Sequence, residues 1–271
     1  MPRPSVRDCT GRRALVNSSL QVFTAAGFET TANTLSFAFA MLARHPQWQI
    51  WLLEEIDTIL PDPEGDYIHD YTAVFPQAHR VMAFLLETLR LFPPLVHLVK
   101  ETAREMTVQT STGSHWLPAK MTIYVQSVGL HLDPTVWRNL NPDASHPAPE
   151  GIEDEHVFRP TRWINPPGSS HPLYQPPKDK LNYIPWSAGP RVCPGQKMAQ
   201  VEFTAIFMTL LRKFRVDAAM DEGMTRADVD KVLDALILDS MSVVTLQMNG
   251  VYDIDAAQAT KGLRLQLTRR R

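Results

Sequence analysis

A mainly helical fold with small β-sheets is what the sequence predicts, on three observations. Long proline-free apolar runs carry helical spacing towards both ends of the chain. Short β-branched segments stand between turns in its middle. Between Pro134 and Pro194 lie 13 of the 22 prolines, a density that argues against regular structure and marks an irregular, surface-running segment.

The first element is "RRALVNSSLQVFTAAGFETTANTLSFAFAMLARHP", a helix near residues 13–44 that Pro46 ends. It is apolar nearly all round, as in a helix buried in a large core. "PQWQIWLLEEIDTIL" is a second helix with Pro46 near its start, and "PDPEGDY" is a turn-rich loop. "QAHRVMAFLLETLRLF" holds a third helix, near 77–91, stopped by Pro93 and Pro94. "MTVQTS", "HWLP" and "MTIYVQSV" read as strands around turns. The proline-rich stretch 134–184 leads into a cysteine loop, 185–195. In the remainder, 196–271, "QKMAQVEFTAIFMTLLRKF" is helical, while "MSVVTLQM" and "GLRLQLTRR" predict a closing β-hairpin. There is no internal repeat.

Composition narrows the function classes. With 44% apolar residues, 21% charged residues and a net charge of −2, the chain has neither the basic excess of a nucleic-acid binder nor a charged tail. Two cysteines, Cys9 and Cys193, cannot build a disulfide framework. No Cys/His spacing resembles a zinc site. Apolar stretches such as "TLSFAFAMLA" are too short to cross a bilayer, and "MPRPSVRDCTGRRA" is charged and proline-broken, unlike a signal peptide. The sequence therefore predicts no membrane anchor in this chain.

Three constellations could carry chemistry. In "PWSAGPRVCPG", Gly189 and Gly195 permit tight turns, Pro190 and Pro194 stiffen them, and a helix begins beside Cys193. Such a loop can hold a thiolate as a ligand, with amide N–H groups turned towards the sulfur and Arg191 beside it. The alternative is a core cysteine in a turn. In "AAGFETT", Gly27 costs about 1 kcal/mol of helix stability. Glu29 adds a carboxylate, and the Thr30 and Thr31 hydroxyls can bond back one turn. A helix crossing at Gly27 explains the same residues. In "ETLR", Glu87 and Arg90 share a helix face, with Arg162 of "FRPTRW" as a further partner if the pair is buried. An exposed pair of this kind is common and weak.

"AGFETT", "ETLR", "FRPTRW" and "PWSAGPRVCPG", in this order, resemble the C-terminal half of a cytochrome P450 of the eukaryotic, fungal-type class, from about Leu15 onward. The resemblance implies that 1–271 is a single partial domain of that fold. It implies haem b as cofactor, with Cys193 the thiolate ligand of the iron, which favours O–O cleavage. Arg191 would bind a haem propionate. His97 and Lys100 are further propionate partners. Gly189 and Gly195 would shape the cysteine loop, and Trp186, where the family has phenylalanine, would shield the sulfur. Ala26 and Gly27 would leave room for dioxygen over the haem, and Glu29 and Thr30 would relay protons. Glu87, Arg90 and Arg162 would form a structural charge network. Phe23, Phe28, Leu95, Val96 and Leu98 would line a substrate pocket, or serve as plain core.

The implied activity is that of a monooxygenase taking one oxygen atom from O2 into a small, apolar organic substrate. Electrons would come from an NADPH-dependent P450 reductase docked near Arg191, Lys197 and Lys178. The Glu29–Thr30 pair favours this over haem-thiolate isomerases and dehydratases. A non-catalytic haem-binding or interaction fragment is the alternative. Full-length relatives are expected on the cytosolic face of the endoplasmic reticulum membrane. Family members are much longer, so an N-terminal half is a further implied partner, one that would supply the lid and the anchor. Without it, much of the first helix should be exposed. The stretch "RNLNPDASHPAPEGIEDEHV" is longer than the family has there and reads as a surface insertion.

Overall fold

Proline sets the ends of the first helices. In the computed structural model, α1 (Val6–Arg44) stops before His45, whose φ of −125° and ψ of 77° lie outside helical space. The ring of Pro46 disfavours the helical conformation in the residue before it. Pro46 then opens α2 (Pro46–Ile59), where its missing N–H is not needed. The structure describes residues 6–62, 64–65, 71–177, 181–242, 244–248 and 262–270, with side chains from Phe23 onward, Ala25 excepted. Part of the "PDPEGDY" loop, Lys178 and the polar loop 249–261 lie outside the described residues.

After α3 (Tyr71–Val74) and a short turn at Phe75–Gln77, α4 (His79–Leu91) ends at Phe92, again just before a proline. Its first turn is capped from another helix. The Glu55 carboxylate accepts the backbone N–H groups of Arg80 (2.8 and 2.9 Å) and Val81 (3.2 Å), satisfying donors that a helix start leaves open. The main core gathers Leu42 of α1, Leu52 and Ile56 of α2, Phe84 and Leu89 of α4, and Phe203, Phe207 and Leu211 of α7 (Gln196–Leu211). Phe207 is its hub, packed against Phe39, Phe84 and Phe203 with ring centroids 4.2–5.6 Å apart.

Small antiparallel ribbons flank these helices. β1 (His97–Glu101) pairs with β4 (Thr122–Gln126), and β2 (Met106–Thr110) with β3 (Gly113–Leu117). Short helices α5 (Ser127–His131) and α6 (Pro134–Trp137) follow, and the chain then runs irregularly to the cysteine loop. β5 (Phe214–Ala218) comes after α7. α8 (Arg226–Leu238) starts at a reciprocal Thr225–Asp228 cap, a Thr-x-x-Asp signature at a helix start that the sequence reading passed over. β6 (Met241–Ser242) and β7 (Leu246–Gln247) pair with each other, and β8 (Leu265–Arg269) pairs with β5. The fold class is thus mainly α with small sheets, as expected.

Two expectations need correction. "MSVVTLQM" and "GLRLQLTRR" do not form one hairpin: the first folds on itself and the second joins β5. Leu265 of β8 reaches the main core beside Val216, so tertiary packing set the pairing. Nor is α1 buried all round as its apolar composition suggests; much of it is exposed, as the resemblance implies for a chain without the N-terminal half. Burial begins at Asn33, while Phe23 and Phe28 are 62% and 73% exposed, because the described residues pack only on its C-terminal part. Among the described residues no helix is long and apolar enough to cross a membrane.

Candidate functional site

The cysteine loop is closed by its own backbone. The Cys193 N–H donates to Trp186 O (2.9 Å), Val192 N–H to Gly189 O (3.1 Å) and Ser187 N–H to Ile184 O (2.9 Å). Gly189 sits at φ +72°, where a side chain would be strained, and Ser187 accepts a similar φ of +64°. Trp186 is half-buried against the main core, while Arg191 and Cys193 are exposed. A Cβ placed on Gly195 would stand 3.8 Å from Cys193 Sγ, so this glycine keeps the sulfur uncrowded without being sterically required. The helix dipole of α7 begins just beyond, at Gln196. Among the described residues no amide N–H donates to the sulfur, against the expectation that the loop turns N–H groups towards it. The N–H groups of Ser187, Val192 and Cys193 go instead to carbonyls of the loop and its flank.

The middle of α1 is open. Ala26, Gly27 and Phe28 are exposed, and a Cβ on Gly27 would meet nothing within 4 Å. Among the described residues no helix crosses at Gly27. The Thr30 hydroxyl donates to Ala26 O (2.7 Å) and that of Thr34 to Thr30 O (2.8 Å), yet α1 stays helical throughout. Glu29 is half-buried, and its Oε1 accepts the hydroxyl of Thr245 (2.7 Å).

A closed charge network is centred on α4. Glu87 is fully buried, and its carboxylate accepts from Arg90 Nε (2.8 Å) and Nη2 (2.9 Å), Arg162 Nε (2.9 Å), the Arg159 N–H (2.8 Å) and the Trp163 indole (2.9 Å). Burial pushes its pKa up, but the charges of Arg162 and Arg90 outweigh that and hold it down at about 2. Arg90 spends its other donors on the carbonyls of His131 (3.0 Å), Glu155 (2.6 Å) and Val157 (3.1 Å). Arg162 spends its own on Trp137 O (2.8 Å), Asp154 O (2.8 Å) and Val157 O (3.1 Å) and on the Asp154 carboxylate (3.2 Å).

His131 ties this network to the cysteine loop. Its Nδ1 lies 3.1 Å from Arg90 O and its Nε2 accepts the Ile184 N–H (2.9 Å), so the ring is neutral with its proton on Nδ1. Burial, with the charge of Arg90 adding, lowers its pKa to about 4. Sequence reading missed His131, Arg159, Asp154 and Trp163. Three of the four sit in the proline-rich stretch, where no periodicity points to a buried face.

The remaining candidates scatter. His97 and Lys100 stand three apart on β1, so they face opposite sides of the ribbon and cannot serve one anion together. Leu95 is 40% exposed, and Val96 and Leu98 are half-buried. Lys197 is exposed, with its ammonium 3.9 Å over the Phe75 ring. Glu87, Arg90 and Arg162 come together. No hydrogen bond or ion pair among the described residues joins the cysteine loop to residues 26–30.

The donor set limits what metal could bind. Among the described residues no three His, Cys, Asp or Glu side chains gather for a bare ion. A single exposed thiol suits a metal that brings its other ligands with it. The exposed Phe28 and the open space over Gly27 suit a flat apolar carrier of such a metal.

Residues 13–238 match the family described as Cytochrome P450. The chain is 45% identical over 224 residues to a Leptosphaeria maculans protein named a phomenoic acid biosynthesis cluster cytochrome P450 monooxygenase. That match covers 80% of this chain and 37% of the relative. It is 28% identical over 262 residues to a cytochrome P450 monooxygenase of Arthrobotrys oligospora (88% and 41%), and 30% over 230 residues to one of Postia placenta (83% and 38%). The chain therefore spans about two fifths of the length of these relatives.

Proposed function

Since the chain belongs to the cytochrome P450 family, we propose that it supplies the haem-binding part of a monooxygenase. The proposed reaction places one atom of O2 in an apolar organic substrate and reduces the other to water, consuming two electrons and two protons. The observation that carries this reading is Cys193, an exposed thiol on a self-closed loop keyed through Ile184 and His131 to a buried charge network.

Cys193 would ligate the iron of haem b, and the exposed Arg191 would hold a propionate. Bound there, the haem supplies oxygen activation under the push of a thiolate ligand. Trp186, whose carbonyl accepts the Cys193 N–H, would shield one side of the sulfur. Ala26 and Gly27 leave open space on α1, and Glu29 and Thr30 would relay protons, Thr30 by releasing its hydroxyl from Ala26 O. His97 and Lys100, on opposite sides of β1, would not share one propionate, and each would serve a separate one. An NADPH-dependent P450 reductase is the proposed electron donor. Its docking face would include Arg191, and Lys197 with part of its charge already spent on Phe75. The proposed setting, the cytosolic face of the endoplasmic reticulum, rests on family resemblance alone.

The test is the reduced, carbon monoxide-treated spectrum of the chain mixed with haem. The expected outcome is the red-shifted Soret band of thiolate ligation, lost in Cys193→Ala. Unchanged haem uptake by that variant would remove the ligand assignment. The exposure of Phe23 and Phe28 favours a second reading, a haem-binding fragment that does not turn over. A thiolate band without product from any substrate and reductase would select it.

A further inference from the structure

We propose that Thr245 is the positioning residue for Glu29, orienting its carboxylate so that an incoming proton sits on Oε2. This rests on the reading of Glu29 as a proton-holding group. Sequence adjacency pairs Glu29 with Thr30, whereas the structure pairs it with Thr245, 216 positions along the chain. The Thr30 hydroxyl proton is committed to Ala26 O (2.7 Å).

The segment Thr245–Met248 is held against Pro94 and α1. The Leu246 N–H donates to Pro94 O (2.7 Å), and the buried Met248 packs with Phe37 and Ala40 of α1. Thr245, only 3% exposed, is thereby held between Glu29 and Asn33, one helical turn apart on the same face of α1. Its oxygen accepts from Asn33 Nδ2 (2.9 Å) and its hydroxyl donates to Glu29 Oε1 (2.7 Å).

The chain of bonds runs one way. An ionised carboxylate can only accept, so the single hydroxyl proton of Thr245 belongs to Glu29, and Asn33 must offer its amide N–H. With Oε1 engaged by a hydroxyl at the edge of the core, this charge-assisted bond leaves the other oxygen to carry the exchangeable proton. A half-buried acid that could otherwise rotate has one orientation.

The test compares Thr245→Val, which removes the hydroxyl at nearly constant shape, with Thr245→Ser, which keeps it. Isotope-edited infrared spectra of the chain labelled with 13C-glutamate, assigned by subtracting Glu29→Gln, report the Glu29 carboxylate without haem. The Glu29 band should shift in Thr245→Val and stay at its wild-type position in Thr245→Ser. In the haem-loaded chain supplied with reductase, peroxide released per electron pair should rise about tenfold in Thr245→Val, part of what a positioned proton donor contributes, and return in Thr245→Ser. Circular dichroism reports folding, with Thr245→Ala as a second deletion should the valine be rejected. An unmoved band in the hydroxyl-free variants, or a band that moves equally in Thr245→Ser, overturns the proposal. A shifted band with Glu29→Gln itself leaving peroxide release unchanged keeps Thr245 as the positioning residue and removes the proton role of Glu29.

Discussion

Glu87 and Glu29 are both acids on long helices, yet their surroundings are opposite. Glu87 is fully buried, and donors from Arg90, Arg159, Arg162 and Trp163 fill its carboxylate. Glu29 is half-buried on a helix face that presents exposed apolar groups, and Thr245 holds one of its oxygens. The same division runs through the molecule. The region behind the cysteine loop satisfies itself with its own carbonyls and guanidinium groups, while among the described residues the loop and the middle of α1 leave the Cys193 thiol, the Arg191 guanidinium and the space over Gly27 uncommitted. A group that is fully satisfied within the chain holds shape, and a group left uncommitted can bind.

The sharpest way to break this contrast is Glu87→Gln. The substitution leaves Arg90 and Arg162 buried without their carboxylate and turns an amide N–H towards their donors. Removing one partner of a buried pair costs about 3–5 kcal/mol, so urea unfolding should show a loss of that order or no folded protein. A loss below about 1 kcal/mol would mean that carbonyl acceptors alone hold the two arginines.

Acid should act next on this region, through His131, and on the α1–α2 corner, through His45. Burial, with the charge of Arg44 adding, lowers the His45 pKa to about 4, where His131 also lies. Both start from 6.5 in the unfolded chain. Between pH 6.5 and 4 the unfolded chain takes up protons that the folded one refuses, so stability falls as pH falls. The loss is about 3 kcal/mol for each histidine once the window is crossed. Below 4.5 Glu87 extends the loss towards pH 2, because its folded pKa is depressed. A urea midpoint independent of pH across the upper window would contradict the neutral, bridging His131.

Legibility in the sequence follows the same division. Glu87 and Arg90 can be paired from their spacing, and Arg162 could be named as a third member. The acceptors that complete the network could not, since most are backbone carbonyls of an irregular segment without periodicity. Proline marked the ends of α1 and α4 because its effect on the preceding residue is local. The pairing of β8 with β5 is set by core packing and has no local signal. The Glu29–Thr245 bond joins residues far apart in sequence, and adjacency suggested Thr30 in its place.

On the open face, Cys193→Ser should leave stability almost untouched. The sulfur is exposed and the loop is closed by backbone bonds that serine keeps. Urea unfolding of the haem-free chain should change by less than about 0.5 kcal/mol. A loss comparable to that of Glu87→Gln would make Cys193 a packing residue and place the loop in the self-satisfied region.

The smallest expected effect is that of Phe28→Ser. Phe37, further along the same helix, is 1% exposed and stacked on Phe92 at 4.6 Å, so its ring contributes to the core. Phe28 is 73% exposed, and its ring gains little by folding. Serine and phenylalanine have similar helix propensities, so the unfolding free energy should stay within about 0.5 kcal/mol. What should change is surface behaviour, with less binding of a hydrophobic dye and less self-association, because an exposed aromatic on an open helix face is a contact site. A stability loss above about 1 kcal/mol would show that Phe28 is packed in solution, and the two parts of α1 would then no longer differ in kind.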